Sequence, residues 1–336
     1  MQTRKIGSFD VTSVGLGCMN LNHAYGTPPS AEQGRELLAH ALDRGVTLFD
    51  TAALYGFGAN ESLVGPVLAP HRDRITLCSK GGMAGVVGDD GVTRRVIDGR
   101  PATLRRNCED SLKRLGTDVI DLYYLHRWDK SVPIEESVGE MGRLLQEGKV
   151  RALGLSEVSV ETLDRAHREH PITALQSEYS LWSRNAELGT LQRCAELGIA
   201  YVAFSPLGRG FLGGILDAAT LGEKDVRSAM PRFSAENYAR NVRLLAPMRE
   251  IAEQADCSLA TLAIAWVLRQ GEHVIALPGT TQRKHLDEDL RGASVKLTAE
   301  QLEALDRLFQ PSAIAGHRYA LQGQKEVDTE EFTVAA

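Results

Sequence analysis

Ile75-Thr76-Leu77-Cys78-Ser79-Lys80-Gly81-Gly82 is a short apolar run that stops on a lysine and two glycines. Its length and its bounding residues read as a buried strand over 75–79. Seven further runs share the form, at 14–18, 47–51, 119–125, 151–156, 173–176, 200–205 and 274–278. Segments of helical period separate most of them. Alternating strand and helix give a parallel sheet, and eight such units give an α/β fold closed into a (β/α)8 TIM barrel. Barrels of this kind carry their chemistry at the carboxyl ends of the strands. Three of the ends here hold, in turn, Asp50 with Tyr55, Lys80, and His126.

Local signals support the alternation. Ser30-Ala31-Glu32-Gln33 has the form of a capping box, opening a helix with Leu37, Leu38, Ala41 and Leu42 on one face and Gly45 at its end. Pro101 suits the first turn of a helix running to Gly116, and Thr298-Ala299-Glu300-Gln301 is a second capping box. Further helices are expected at 134–146, 160–168 and 186–197. Residues 4–14, with Gly7-Ser8 in their midst, read as a hairpin closing the bottom of the barrel.

From 207 to about 236 the rhythm fails, and the segment is expected to be a long loop after strand 7. Such a stretch is functional or mobile. Gly208-Arg209-Gly210-Phe211-Leu212-Gly213 matches GxGxxG. The dinucleotide fingerprint also needs a helix straight after the glycines and an acidic residue capping a second strand. Glu223 and Asp225 lie in no strand-like run, so a Rossmann unit is disfavoured. A glycine loop approaching a pyrophosphate through its backbone N–H groups remains.

The 336 residues are read as one domain spanning 1–336, with net charge −6 and no basic stripe. Nucleic acid and anionic membrane are therefore not expected as partners. Met1-Gln2-Thr3-Arg4-Lys5-Ile6 lacks the apolar stretch of a signal peptide, and the apolar helix near 259–268 is too short to span a bilayer. Five cysteines without CxxC spacing are read as free thiols in a reducing cytoplasm. No histidine has metal-ligand spacing, so no metal is expected. Trp128, Trp182 and Trp266 read as packing residues, with Trp128 close enough to His126 to line a pocket.

A lysine straight after an apolar run needs a carboxylate partner. Asp50, at the neighbouring strand end, supplies it. A cation beside a phenol favours the phenolate, so Lys80 is expected to draw the Tyr55 pKa down from about 10 toward working pH. Tyr55 then serves as a general acid. Taken singly, Asp50 and Lys80 read equally well as a structural pair and Tyr55 as a loop residue; their meeting on adjacent strand ends favours a site. A Schiff-base lysine, as in an aldolase, needs Lys80 without a close carboxylate.

Eight motifs stand in order: Gly15-Leu16-Gly17-Cys18-Met19, Asp50-Thr51-Ala52 with Tyr55-Gly56, Ser79-Lys80, Asp121-Leu122-Tyr123-Tyr124-Leu125-His126-Arg127, Gly154-Leu155-Ser156, Gln176-Ser177-Glu178-Tyr179-Ser180-Leu181, Ser205-Pro206-Leu207-Gly208-Arg209-Gly210 and Pro278-Gly279-Thr280. With them the chain resembles the aldo-keto reductase family over nearly its whole length, nearest a monomer-type branch from bacteria, yeast and plants. It is also similar to potassium-channel β subunits, so a non-catalytic regulatory role shares every motif.

The resemblance implies NADPH-dependent reduction of a small-molecule aldehyde or ketone, with NAD a poorer cofactor. It implies Tyr55 as proton donor, tuned by Lys80 and Asp50, and His126 as the group orienting the carbonyl. For the cofactor it implies Gly17, Cys18, Met19 and Asp50, with Ser156 and Gln176 on the carboxamide and Phe204 stacked on the nicotinamide. Ser205, Leu207, Gly208 and Gly210 match the pyrophosphate loop, and Gly279, Thr280, Thr281, Gln282, Glu288 and Asp289 the adenosine end. Glu157 stands where many relatives have a carboxamide-binding Asn and is expected to keep that contact. Gly279 and His285 replace cationic residues of some relatives, with Arg283 and Lys284 as substitutes, and Asp289 replaces an Asn. The substrate pocket is expected from loops near 19–25, 82–98, 128 and 315–322.

Overall fold

In a computed structural model, residues 2–214 and 216–332 are described. The chain opens with an antiparallel hairpin, β1 (Thr3–Ile6) and β2 (Phe9–Thr12), turning at Gly7. The barrel strands are β3 (Leu16–Gly17), β4 (Leu48–Asp50), β5 (Thr76–Gly81), β8 (Ile120–Leu125), β9 (Val150–Ser156), β10 (Ala174–Glu178), β11 (Ala200–Phe204) and β12 (Val274–Leu277). Each pairs in parallel with its neighbour in that order. A bridge between Val14 and Ala276, with Gly17 N donating to Pro278 O at 2.8 Å, joins the first strand to the last.

Helices α1 (Ala31–Asp43), α2 (Ala59–Leu68), α3 (Pro101–Leu115), α4 (Ile134–Gln146), α5 (Val160–Glu169) and α6 (Thr190–Leu197) follow strands in turn. Both expected capping boxes form, at Ser30 and at Thr298. The helix expected at 186–197 is divided at Gly189 into a 3-10 turn (Asn185–Leu188) and α6. The stretch at 207–236 is a series of 3-10 turns leading into α7 (Ala235–Asn241). Then come α8 (Leu245–Gln254), α9 (Leu259–Leu268), α10 (Arg283–Arg291), α11 (Ala299–Leu308) and α12 (Leu321–Lys325). All ten residues of α9 are buried, and no single described helix is long and apolar enough to cross a membrane. An antiparallel hairpin absent from the sequence reading, β6 (Met83–Val87) with β7 (Thr93–Ile97), projects after β5.

Side chains alternate along a strand. One set fills the barrel: Leu48, Cys78, Leu122, Tyr124, Ala152, Ala174, Ala200, Val202, Ile275 and Leu277, plugged below by Ile6 and Val11 of the hairpin. The other set faces the helices. Gly154 belongs to the inner set, and a Cβ there would come within 2.3 Å of the Tyr124 ring. Asp50, Lys80, His126, Ser156, Gln176 and Phe204 each lie an even number of residues beyond an inner member of their own strand. They therefore form the layers above the apolar plug. Below, the Arg4 guanidinium is buried on the carbonyls of Leu268, Gly271 and Val274, where α9 gives way to β12.

Candidate active site

The carboxyl ends of the strands open into a cavity of about 780 Å³. This is within the size range of small-molecule and cofactor sites, roughly 300–1,000 Å³. Its floor is a bonded set. The Lys80 ammonium donates to Asp50 Oδ1, to Thr51 O at 2.9 Å and to the Tyr55 hydroxyl at 3.1 Å, so its three protons are all used. Gln176 Nε2 donates to the other Asp50 oxygen at 2.9 Å. The ammonium also lies 4.8 Å from the Tyr55 ring centroid and 6.0 Å from that of Tyr124 beneath. Lys80 is buried under Tyr55 and Asp50, and the paired carboxylate removes the condition for a Schiff-base lysine.

Burial lowers the Lys80 pKa, but Asp50 and Tyr55 outweigh it and the net shift is upward. The expectation for Tyr55 is corrected. Its pKa lies above the ordinary phenol value, because burial outweighs the downward pull of Lys80, and Asp50 adds to the rise. The closed protein therefore holds the proton on Tyr55. His126 goes the other way. Burial, then the Lys80 charge, put its pKa well below the usual imidazole value, so the ring is neutral. Its Nδ1 has no partner among the described residues.

The Tyr55 ring is fixed from two sides. His23 stacks on it at 6.0 Å between centroids, and His126 meets it edge-on at 5.6 Å. Tyr55 begins a turn in which Gly56, Phe57 and Gly58 all have positive φ. Phe57, with φ 52°, is an unusual occupant of that region. The sequence alone marks His23 as a histidine without metal-ligand spacing in the 19–25 loop and gives it no role at the site.

Around the floor, Gly17, Met19, Ser156, Gln176, Phe204, Ser205, Leu207, Gly210, Gly279, Thr280, Thr281 and Gln282 line the cavity together with Asp50, Tyr55 and His126. Cys18 does not. It has the outer parity and packs toward the helices. Gly208 is buried against Trp182. Glu288 and Asp289 also lie outside the lining; Asp289 is buried with both carboxylate oxygens unpartnered, and burial raises its pKa well above the usual carboxylate range. Trp128 turns its indole N–H to Val132 O and stays out of the lining.

Glu157 is also corrected. Its carboxylate accepts from the Glu178 amide at 2.7 Å and from Arg318, so it has no oxygen turned to the cavity. That pair belongs to a buried network over the cavity. Glu178 accepts from Ser183 Oγ and from Arg209, both at 2.7 Å, while Arg209 also donates to the Tyr319 hydroxyl at 2.8 Å. Burial pushes the Glu178 carboxyl up, yet Arg209 and Arg318 hold it down to about 2. Arg232 donates to Ser183 Oγ at 2.8 Å and to Gly316 O at 3.1 Å. Across the mouth, Val226 N donates to Ala24 O at 2.8 Å, and Arg227 lies over the Tyr25 ring.

At the far end, a Cβ on Gly279 would come within 2.9 Å of Asn20 Oδ1. Arg283 is exposed and bonded to Glu36. His285 reaches the cavity, whereas Arg283 and Lys284 do not line it.

Comparison with known proteins accords with this architecture. The profile of the Aldo/keto reductase family matches residues 13–310. A probable aldo-keto reductase 1 of Glycine max is 43% identical over 322 residues, covering 95% of this chain and 92% of that protein. Among solved structures, a glycerol dehydrogenase from Gluconobacter oxydans superposes with a TM-score of 0.85 at 31% identity, covering 95% of this chain and 99% of its own. An aldo-keto reductase from Bacillus halodurans in its holo form gives 0.76 at 27% identity, with coverages of 93% and 97%. The chain belongs to the aldo-keto reductase family. It is an oxidoreductase of the class that reduces small-molecule carbonyl compounds with NAD(P)H.

Proposed function

We propose that the protein reduces an aldehyde or ketone to the alcohol with NADPH, using Tyr55 as the proton donor. The observation that carries this reading is the Lys80 ammonium, held by Asp50 and bonded at 3.1 Å to a cavity-lining phenol that keeps its proton. A carbonyl oxygen seated between Tyr55 and His126 accepts from both. Charge growing on that oxygen is met by donors already in position, which lowers the barrier. Tyr55 gives up its proton as the alcohol forms, and the phenolate left behind faces the Lys80 ammonium. Solvent then restores the proton. Gln176 and Lys80 bond opposite oxygens of Asp50 and keep it facing the ammonium.

The lining fits a dinucleotide. Ser205, Arg209 and Gly210 have positive φ and bring the loop to the cavity wall, while the Gly208 and Gly210 N–H groups are bonded to Ser205 O and Leu207 O. Arg209 and Arg227 line the same wall, suiting a pyrophosphate. Ser156 and Gln176 supply polar partners for a carboxamide, Phe204 an aromatic face, and Gly279 to Gln282 the adenosine end. When bound there, the cofactor supplies the hydride. Glu288 and Asp289, outside the lining, are not part of this fit. The single-domain reading of 1–336, its boundaries outside the described residues, fits one barrel with the candidate site at its mouth.

Mixing the NADPH-loaded protein with an aldehyde panel, including nitrobenzaldehyde, tests the proposal through loss of the cofactor's near-ultraviolet absorbance. Turnover is expected. Intact cofactor binding with no turnover on any carbonyl compound would instead favour the regulatory reading.

A further inference from the structure

Three arginines line the cavity: Arg127, Arg209 and Arg227. Arg209 is ion-paired with Glu178, and Arg227 with Asp225. Arg127 forms no ion pair among the described residues. It follows His126 directly at the end of β8, half-buried, and its bonds run from one nitrogen only. Nη1 donates to His126 O at 2.7 Å and to Ser156 Oγ at 3.1 Å, both neutral acceptors. Nε and Nη2 make no bond among the described residues, and neither is sealed off as an orphaned buried atom. Those two N–H groups form the side of the guanidinium that pairs with a carboxylate through two parallel bonds.

A half-buried charge without a counterion is costly. The phosphates of the proposed cofactor lie against β11 and β12, three or more strands round the ring from β8, and do not supply one. Arg127 lines the same cavity as Tyr55 and His126, where the carbonyl would be reduced. A single guanidinium fork suits a carboxylate, whereas a phosphate is usually met by several converging donors.

Resting on the reductase reading, we propose that Arg127 seats a carboxylate carried by the substrate, so that the preferred substrates are aldehyde or keto acids. Its own two bonds, to the backbone beside His126 and to Ser156, hold the fork rigid before the substrate arrives. Arg127 is thus a specificity-determining residue, and the reaction class that supplies this enzyme is one that leaves a carbonyl and a carboxylate on the same small molecule.

The test compares glyoxylate, 3-carboxybenzaldehyde and 4-carboxybenzaldehyde with their methyl esters, on wild type, Arg127→Lys and Arg127→Met. At least one acid is expected to exceed its ester in kcat/KM by about tenfold or more, the worth of one charge-assisted pair. The gain should sit mainly in KM and shrink with salt. Arg127→Met should abolish the ratio, and Arg127→Lys should restore part of it. Acids no better than their esters throughout, or a preference that survives Arg127→Met, would overturn the proposal. Calorimetry of benzoate against benzamide on the NADPH-loaded protein separates the two readings. Benzoate-selective binding that Arg127→Met removes, without turnover of any aldehyde, would sink the reductase reading and leave the carboxylate site standing. Turnover of esters with no benzoate selectivity would do the reverse.

Discussion

Lys80, buried, and Arg209, half-buried, are both cations bonded to carboxylates, but they are held in place in different ways. Lys80 and Asp50 sit on adjacent parallel strands, and β4–β5 register with inner parity brings them together. Arg209 comes from an irregular loop and reaches Glu178 at the end of β10, with Arg318 of the C-terminal segment joining from above. The floor of the cavity is thus placed by the sheet, which alternation and pairing dictate. The roof is placed by side chains that cross-link loops. The Asp50–Lys80 pair occupies the part that barrel geometry fixes, whereas Tyr55 and the Arg209 wall come from turns and loops that are freer to vary.

The largest expected effect breaks the floor chemically without loosening it. Tyr55→Phe keeps the ring between His23 and His126 and removes the proton. The hydride-transfer step should slow by about 10²–10⁴-fold, the range for general acid catalysis, with NADPH affinity nearly unchanged. Single-turnover kinetics and cofactor titration measure the two separately, and a mutant keeping most of its rate would move the donor role to His126.

Glu178→Gln breaks the roof instead. It leaves Arg209 and Arg318 short of a charge, and removing one partner of a buried pair costs about 3–5 kcal/mol. The sign with pH follows from the depressed carboxyl. Its folded pKa of about 2 lies below the unfolded value of about 4.3. Its contribution is complete above about pH 4.3 and is lost as pH falls toward about 2. Denaturant melts should show the variant weaker at neutral pH and less sensitive to acid within that window. Equal acid sensitivity would mean the roof network adds nothing net.

A smaller effect separates the opposed terms at the floor. On the proposed mechanism reduction needs Tyr55 protonated, so activity should hold below its pKa and fall above it. The raised pKa places this alkaline limb beyond the ordinary phenol range. Lys80 is the charge pulling the pKa down, so Lys80→Met should move the limb further up, measured as a pH profile of single turnovers. A downward move would show that Lys80 acts otherwise.

The smallest effect lies at the rim. Replacing Arg283 and Lys284 with alanine should weaken NADPH several-fold at low salt and leave NADH alone, because exposed pairs are worth only about 0.2–1 kcal/mol and are screened. Arg283 already bonds Glu36, so most of the change should come from Lys284. Equal wild-type affinity for the two cofactors would show that this site does not read the phosphate.

The same division explains what was legible. Asp50, Tyr55, Lys80 and His126 were readable because short apolar runs mark strand ends. Counting parity along the first strand would also have removed Cys18, which follows Gly17 and turns outward. The β6–β7 hairpin left a signal in Asp90-Gly91 between valines that went unread. Glu157 with Arg318 left none, since 161 residues separate them and only the folded roof brings them together. The direction of the Tyr55 shift was not legible either. A neighbouring charge can be guessed from sequence, but the burial that outweighs it is a property of the closed cavity.

The seam between Val14 and Ala276 has a consequence for how the molecule is made. Six barrel strands lie between the two sides of the seam in chain order, so the ring stays open during synthesis until residue 276 has left the ribosome. Until then Arg4 lacks the carbonyls of Leu268, Gly271 and Val274 that receive it. The edges of β3 and β11 meanwhile offer unpaired backbone groups to any other nascent strand. Closure is therefore a late step that joins the earliest-made part of the barrel to the latest, and the bottom hairpin becomes a latch only at the end.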